Sequence, residues 1–164
     1  MLVARVSDEI KIRWAEARDV AAIVRLINLA FRAAESFFIE GDRISPEIPQ
    51  PMHEKGNFLL AEDAAGLVGC VYVELRGERA YFGLLAVHPT RQHRGLGRRL
   101  IDETENHARA VGCRVMDLRI VSLREELPPF YRRLGYVETG TGPFPEEIKA
   151  KLPCHFILMS KRLV

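Results

Sequence analysis

The sequence predicts a mixed α/β fold in which helices pack on a sheet. Two apolar patterns alternate along the chain: helical stripes with a period of about 3.6 residues, and short β-rich runs bounded by glycine and proline. Their order is strand, helix, three strands, helix, strand, helix and strands, which is typical of helices layered on a sheet. At 164 residues the chain has the size of one compact domain, so we predict a single domain over residues 1–164.

The N-terminal third predicts one strand and one helix. A β-like segment from Lys11 to Ala15 precedes Asp19, whose side chain can cap a helix. The apolar positions of that helix follow the helical period and are Val20, Ile23, Val24, Ile27 and Phe31. From Glu35 to Gly56 prolines and scattered aromatic residues replace the pattern, which indicates a long surface loop.

Three antiparallel strands in series are predicted next. The runs Phe58 to Glu62 and Leu67 to Leu75 flank a short polar link that contains Gly66, as in a hairpin. A second turn at Gly77 leads into Ala80 to Val87, a nearly continuous apolar run. Such a run predicts a strand buried on both faces.

The C-terminal half predicts a second helix, a strand, a short helix and further strands. The apolar stripe of the second helix stops at Gly112, a residue suited to end a helix. Its positions are Leu96, Leu100, Ile101, Ala108 and Val111. A strand over Val115 to Val121 follows, then a short helix opened by Pro128-Pro129 and closed by Gly135, and a last strand from His155 to Lys161.

Composition argues against several classes of function. Lysine and arginine number 24 against 22 aspartates and glutamates, a formal charge of +2, which is too even for generic nucleic-acid binding. Cys70, Cys113 and Cys154 form no CxxC pair, and the histidines show no ligand spacing, so we expect neither a disulfide framework nor a metal site. Without a signal-peptide core or a run of about 20 apolar residues, we expect a soluble, cytoplasmic protein that binds no membrane.

The most informative segment is residues 91–99, here called the basic turn, which holds four arginines, one histidine and two glycines before the second helix. Cations are disfavoured at a helix N-terminus, which is already positive, so their concentration there predicts an anionic ligand. Gly95 and Gly97 lack the Cβ atoms that would keep a ligand from the backbone, so N–H groups can converge on phosphate oxygens. The alternative is a glycine turn whose arginines only face water. The order of strand, cationic turn and helix favours a pyrophosphate cradle.

The cradle fits neither of two common phosphate motifs, because no Gly-Lys-Ser/Thr follows and the third glycine of a dinucleotide fingerprint is missing. Instead, Gln92-x-x-Gly95-x-Gly97 after Ala86-Val87-His88-Pro89 resembles the pyrophosphate-binding motif of the GNAT superfamily of N-acetyltransferases. Further along, Phe130-Tyr131-Arg132-Arg133-Leu134-Gly135-Tyr136 is similar to the aromatic-Tyr-x-x-x-Gly-aromatic segment of that family. The resemblance spans nearly the whole chain. It implies the GNAT fold: a mixed, mostly antiparallel sheet with a central splay and helices on both faces.

The resemblance implies acetyl-CoA as the cosubstrate. Its pantetheine arm would pair with the strand backbone at Leu85, Ala86 and Val87, next to the splay. Its pyrophosphate would lie on the N–H groups of the basic turn, with arginine side chains adding charge-assisted contacts. The residues implied in this contact are Gln92, His93, Arg94, Gly95, Leu96, Gly97 and Arg98.

The implied reaction is transfer of an acetyl group to a primary amine by direct attack on the thioester. Such an amine, with a pKa of about 10.4, must lose a proton to a base, and the departing thiolate needs an acid. Tyr131 matches the tyrosine that the family often uses as this acid. Many relatives place the base, a glutamate, where this chain has Tyr81 and Phe82, so we take Glu74 on the preceding strand as the candidate base. The other candidate carboxylates are Glu35 and Glu40, and for all three the alternative is an ordinary solvated carboxylate without a catalytic role.

The resemblance places the acceptor site after the first helix. Acidic and aromatic side chains in that region suit a cationic amine of a small molecule or peptide, although an ordinary solvated loop is an equal alternative. They are Glu35, Glu40, Asp42, Glu47, Glu54, Phe37 and Phe38. Arg124 stands where relatives commonly carry an asparagine, which leaves the detailed CoA contacts open.

Two further functions remain as alternatives. The missing strand glutamate motivates a noncatalytic acyl-CoA sensor or partner-binding module on the same fold. A nucleic-acid-binding domain built on the basic turn is disfavoured because the composition outside it is not basic. Many relatives dimerise, so the resemblance also suggests a homodimer.

Overall fold

The computed structural model describes residues 9–41, 56–146 and 148–164, which form a seven-stranded sheet with helices on both faces. The strands are β1 (Lys11–Trp14), β2 (Gly56–Asp63), β3 (Gly66–Arg76), β4 (Arg79–Val87), β5 (Val115–Val121), β6 (Val137–Pro143) and β7 (His155–Arg162). The α-helices are α1 (Val20–Glu35), α2 (Leu96–Ala110) and α3 (Leu127–Arg133), and two 3-10 turns are Ala17–Asp19 and Pro89–Arg91.

The sheet is mixed and mostly antiparallel, as predicted. Its order is β1-β2-β3-β4-β5-β7-β6, and β4 and β5 are its parallel pair. That pair is short, because only Arg79–Tyr81 is in register with Val115–Asp117. Beyond Tyr81 and Asp117 the two strands separate and leave an opening, here called the gap. The gap is the central splay that the resemblance implies.

A β-bulge in β4 explains why the strands separate there. Two residues of β4, Leu84 and Leu85, lie opposite the single residue Val71 of β3. Leu84 has a φ of 49°, a left-handed conformation that costs free energy for any residue other than glycine. An extra residue bends its strand and increases the local twist. The bulge therefore turns the second half of β4 away from β5.

The helices α1 and α2 cover opposite faces of the sheet. Phe58 and Leu60 of β2 pack in the apolar cluster under α1, whereas Leu59 and Ala61 pack in the cluster under α2. Alternate residues of a strand point to opposite faces, so one strand contributes to both layers. No helix in the described part of the chain is long and apolar enough to span a membrane.

Three details differ from the sequence predictions. β4 is not buried on both faces, since the gap leaves most of its residues half-exposed. Val111 is 50% exposed, because α2 ends at Ala110, although Gly112, with a φ of 92°, lies at the helix end as predicted. The helix α3 begins at Leu127, so the proline pair lies within its first turn.

The start of α1 also differs, because Asp19 does not cap the helix with its side chain. Its carboxylate instead accepts hydrogen bonds from the Arg13 guanidinium, at 2.8 and 2.9 Å, and from the backbone N–H of Glu16, at 2.7 Å. The bonds from Arg13 are the main reason why the pKa of Asp19 falls to about 2. Asp19 thus ties the turn before α1 to β1.

A buried carboxylate joins α2 to the C-terminal part of the sheet. Glu105 Oε2 accepts a hydrogen bond from the Tyr136 hydroxyl at 2.8 Å, and Oε1 lies 2.9 Å from Lys161 Nζ. The Glu105 side chain is only 5% exposed. The bond fixes the Tyr136 ring, whose centre lies 5.9 Å from that of Tyr131. Through Tyr136, Glu105 therefore supports the group of aromatic rings that contains Tyr131.

We expect Glu105→Ala to lower the free energy of unfolding by about 2–3 kcal/mol, because it leaves the Tyr136 hydroxyl and Lys161 without their shared partner. Urea denaturation at neutral pH measures this loss. Glu103→Ala is the matched control, since Glu103 is an exposed residue of the same helix and its removal should cost less than about 0.5 kcal/mol. Equal losses in the two variants would contradict the assigned role.

Candidate active site

The gap presents backbone groups of β4 that have no strand partner. The His88 N–H donates to the Val68 carbonyl, on the β3 side, at 2.8 Å. Backbone groups of successive residues in an antiparallel ladder point alternately toward and away from the partner strand. Leu85 and Val87 therefore turn their N–H and C=O groups toward the gap, where the Val87 carbonyl accepts from Gln92 Nε2, whereas Ala86 turns its groups toward β3. Two of the three predicted pantetheine contacts thus offer polar groups to a ligand in the gap.

The basic turn leads directly into α2. Gly95 is the N-cap residue, with a φ of 78° that favours glycine. No side chain caps α2, and no acidic residue lies in its first turn. Among the described residues, the backbone N–H groups of residues 92–98 have no hydrogen-bond acceptor. These groups, at the positive end of the helix dipole, can bind an anion.

The four arginines of the basic turn divide into two pairs. Arg91 forms an ion pair with Asp63, and Arg99 donates to a backbone carbonyl in the segment before β1. Both side chains therefore fasten the turn to the rest of the fold. Arg94 and Arg98 are exposed beside the first turn of α2. Arg98 Nε lies 4.0 Å from the exposed Asp102, a long surface ion pair that leaves the guanidinium able to turn to a ligand phosphate together with Arg94.

Open space lies over both glycines of the turn. A Cβ atom on Gly95 would meet nothing within 4 Å, and one on Gly97 would meet only a methyl group of Val87 at 3.8 Å. Gln92 closes the other side of the turn, where its Nε2 donates to the Val87 carbonyl at 3.2 Å. Unpaired N–H groups, exposed cations and open space suit a pyrophosphate. The residues present therefore fit the phosphate part of acetyl-CoA.

Tyr131 lies in an aromatic cluster on the α2 side of the sheet. Its ring centre is 5.0 Å from that of Phe130, 5.9 Å from that of Tyr136 and 6.1 Å from that of Phe82 on β4. The side chain is 5% exposed. Burial raises the pKa of Tyr131 above its ordinary value. The hydroxyl is therefore protonated at neutral pH, as a general acid must be.

Two residues beside the gap also influence Tyr131. After burial, the largest effects on its pKa are a lowering by the positive charge of Arg124 and an increase from Tyr81. The Tyr81 ring lies along Gly83, where a Cβ atom would come within 2.6 Å of the Tyr81 hydroxyl. The Tyr81 ring can therefore lie here only because residue 83 has no side chain. In the sequence, Tyr81 and Arg124 stand out only as departures from the family pattern.

Glu74, the predicted base, already has two hydrogen-bond donors. Its carboxylate lies 2.7 Å from the Tyr72 hydroxyl and 2.8 Å from Arg76 Nε. Glu74 pairs with Tyr81 across β3 and β4, and its side chain is 19% exposed. To accept a proton, this carboxylate must compete with two donors that already bind it.

Glu35 is buried rather than solvated. Its side chain is 3% exposed at the end of α1, and Oε2 lies 3.0 Å from Arg124 Nη1. Arg124 Nε also contacts Glu126 at 2.6 Å. The ion pair joins α1 to the segment after β5. Within the described part of the chain, no three His, Cys, Asp or Glu side chains lie close enough to hold a metal ion.

A cleft of about 220 Å³ lies at the C-terminal end of α1, within the predicted acceptor region. We call it the α1 cleft; it is lined by Phe31, Arg32, Glu35, Ser36, Ile39, Glu40, Gly41 and Lys151. Of the predicted aromatic residues, Phe37 is 56% exposed and Phe38 packs in a separate core cluster with Phe156. The predicted acceptor residues Asp42, Glu47 and Glu54 lie outside the described residues.

The family model described as an acetyltransferase (GNAT) domain matches residues 54–138, more than half of the chain. The chain belongs to the GNAT acetyltransferase family, and its mixed seven-stranded sheet with helices on both faces is the fold of that family.

Solved structures with this fold include three that are similar over nearly the whole chain. The ribosomal-protein-S18-alanine N-acetyltransferase from Escherichia coli is 15% identical, with a TM-score of 0.74 and 94% of each chain covered. The PaiA N-acetyltransferase from Thermoplasma acidophilum, in complex with coenzyme A, is 15% identical, with a TM-score of 0.70 and coverage of 94% and 99%. The protein yncA from Salmonella typhimurium, with its cofactor acetyl-CoA, is 23% identical, with a TM-score of 0.69 and 94% of each chain covered.

The phosphate cradle is tested by Gly97→Glu. The new carboxylate would repel an anion at the first turn of α2, so the Kd of acetyl-CoA should rise about a hundredfold in isothermal titration. The fold should be unaffected, because the space at Gly97 is open and an acidic residue in the first turn stabilises a helix.

Ala110→Glu is the matched control for this variant. It makes the same change of charge at an exposed position of the last turn of α2, so acetyl-CoA affinity should change less than about twofold. An unchanged affinity in Gly97→Glu, or equal losses in both variants, would refute the cradle.

Proposed function

We propose that this protein is an acetyl-CoA-dependent N-acetyltransferase that acts on a primary amine of a small molecule or peptide. The observation that carries the proposal is the gap between β4 and β5, with the basic turn and Tyr131 beside it. Membership of the GNAT family supports it. So do the coenzyme A and acetyl-CoA bound by two proteins of the same fold.

The proposed binding roles follow from the positions of the polar groups. The backbone of Leu85 and Val87 would pair with the pantetheine arm. The N–H groups of residues 92–98 would hold the pyrophosphate, with Arg94 and Arg98 adding charge-assisted hydrogen bonds. Acetyl-CoA would supply an acetyl group activated as a thioester.

Tyr131 is the proposed general acid. Its Oη holds a proton at neutral pH because burial raises the pKa. Donation of that proton to the departing sulfur would release CoA as a thiol and leave Tyr131 as a phenolate, whose charge Arg124 would stabilise. The neighbouring rings of Phe82 and Phe130 exclude water from its side chain.

We expect Tyr131→Phe to lower kcat by about a hundredfold or more while the Kd of acetyl-CoA stays the same, because the variant removes only the proton donor. Thiol release measures kcat, and isothermal titration measures the Kd. Tyr136→Phe is the control: it removes the hydroxyl that binds Glu105 from the same cluster, so it should reduce stability more than kcat. If Tyr131→Phe retains full kcat, Tyr131 is not the general acid.

Glu74 remains the proposed base. We expect Glu74→Gln to lower kcat/KM at neutral pH and to make it rise about tenfold per pH unit, because the variant depends on amine already deprotonated in solution. Glu78→Gln, at an exposed position beyond the end of the same strand, should keep the wild-type profile. If Glu74→Gln also keeps the wild-type profile, Glu74 is not the base.

The noncatalytic acyl-CoA-binding module is the second candidate, because two of the three candidate bases, Glu74 and Glu35, already bind neighbouring side chains. Titration with acetyl-CoA, CoA and ATP, followed by thiol release over an amine panel, separates the two functions. Binding of acetyl-CoA with thiol release is the result expected for an enzyme. Binding without release of thiol from any amine would favour the module, and absence of CoA binding would contradict both.

A further inference from the structure

One ion pair connects the α1 cleft to the chain segment that precedes Tyr131, the proposed acid. Glu35 lines the cleft, and its carboxylate binds Arg124 at 3.0 Å. Arg124 is in turn near enough to Tyr131 to lower its pKa against the larger effect of burial. A small molecule in the cleft would therefore lie at the end of α1 that the Glu35–Arg124 ion pair joins to the segment after β5.

The charges of the cleft are of both signs, which the sequence did not predict. Glu35 and Glu40 line it together with Arg32 and Lys151. Acidic residues alone would favour a polycationic acceptor such as a polyamine. The two cations oppose such an acceptor, because a second positive group would be repelled by them. An acceptor with one amine and one carboxylate can satisfy charges of both signs.

Backbone pairing holds Lys151 at this position. Its N–H donates to the Phe38 carbonyl at 2.6 Å, next to the isolated bridge between Ile39 and Ala150. Its Nζ donates to the Ser36 carbonyl at 3.2 Å, at the C-terminal end of α1. The negative end of the helix dipole favours a cation there. Lys151 is thus partly ordered before a ligand binds, which reduces the entropy lost on binding.

The size of the cleft limits the acceptor. Its volume of about 220 Å³ is below the range of roughly 300–1,000 Å³ that is typical of sites for drug-sized ligands. This volume suits a compact molecule whose two charged groups lie close together.

We propose that the α1 cleft binds a small amino carboxylate, a free amino acid being the simplest case, with Lys151 and Arg32 facing its carboxylate and Glu40 facing its amine. This substrate class rests on the proposed N-acetyltransferase function. It narrows the acceptor from any primary amine to one that carries an anionic group.

The test is binding of matched ligands that cannot react. Isothermal titration compares the standard amino acids with their α-carboxamides, which keep the amine and side chain but lose the negative charge. Each is titrated into the free protein and into the protein saturated with CoA, which has no acetyl group to transfer. At least one amino acid should bind about tenfold more tightly than its amide. If no amino acid binds more tightly than its amide, the inference is overturned.

Variants assign the preference to the cleft. Lys151→Met should reduce the preference of that amino acid over its amide to less than about threefold. Lys149→Met is the matched control, because Lys149 is an exposed lysine two residues away that does not line the cleft, and it should leave the preference unchanged. Glu40→Gln should weaken the amino acid and the amide equally. A preference that survives Lys151→Met and Arg32→Gln would also overturn the inference.

These outcomes differ from those that test the acetyltransferase function. If simple amines are acetylated while amino acids bind no better than their amides, the function stands and the acceptor class is wrong. If amino acids show the Lys151-dependent preference but acetyl-CoA does not bind, the cleft is a ligand site and the acetyltransferase proposal is wrong.

Discussion

The extra residue in β4 is the constraint on which the rest of the site depends. If β4 and β5 stayed in register along their length, their ladder would satisfy the backbone groups of Leu85 and Val87 and close the gap. The bulge at Leu84 instead separates the strands after three paired positions. The left-handed conformation of Leu84 costs free energy, of order 1–3 kcal/mol for a strained residue. The surrounding core must offset that cost, and half of β4 thereby becomes available to a ligand.

The basic turn shows a second conflict between local stability and function. A helix that begins with cations and without a capping side chain is a poor start for α2. The fold compensates with Arg91 and Arg99, which are bound to other parts of the chain. Arg94 and Arg98 are left at the positive end of the helix. Residues that weaken the local structure, as these cations do at the start of α2, are expected at a ligand-binding site rather than in a packed core.

Most of the fold and the position of the basic turn could be predicted from the sequence, because periodicity and turn residues are local signals. The ion pair of Glu35 with Arg124 spans 89 positions, and the contact of Lys151 with Ser36 spans 115. No local pattern encodes such pairs, so the sequence indicates neither the burial of Glu35 nor the position of Lys151. The burial of β4 was overestimated for a related reason. An apolar run does not distinguish a strand covered on both sides from one that borders a gap.

Arg124 links the two halves of the proposed site. It lies after β5, binds the buried Glu35 at the end of α1, and places a positive charge near Tyr131. Loss of either member of a buried pair leaves the other charge uncompensated, so the pair holds the end of α1 in one position relative to β5. The α1 cleft is built on that end of α1, and Tyr131 follows Arg124 in the chain. Arg124, which departs from the family pattern, is therefore the residue that connects the α1 cleft with the segment leading to Tyr131.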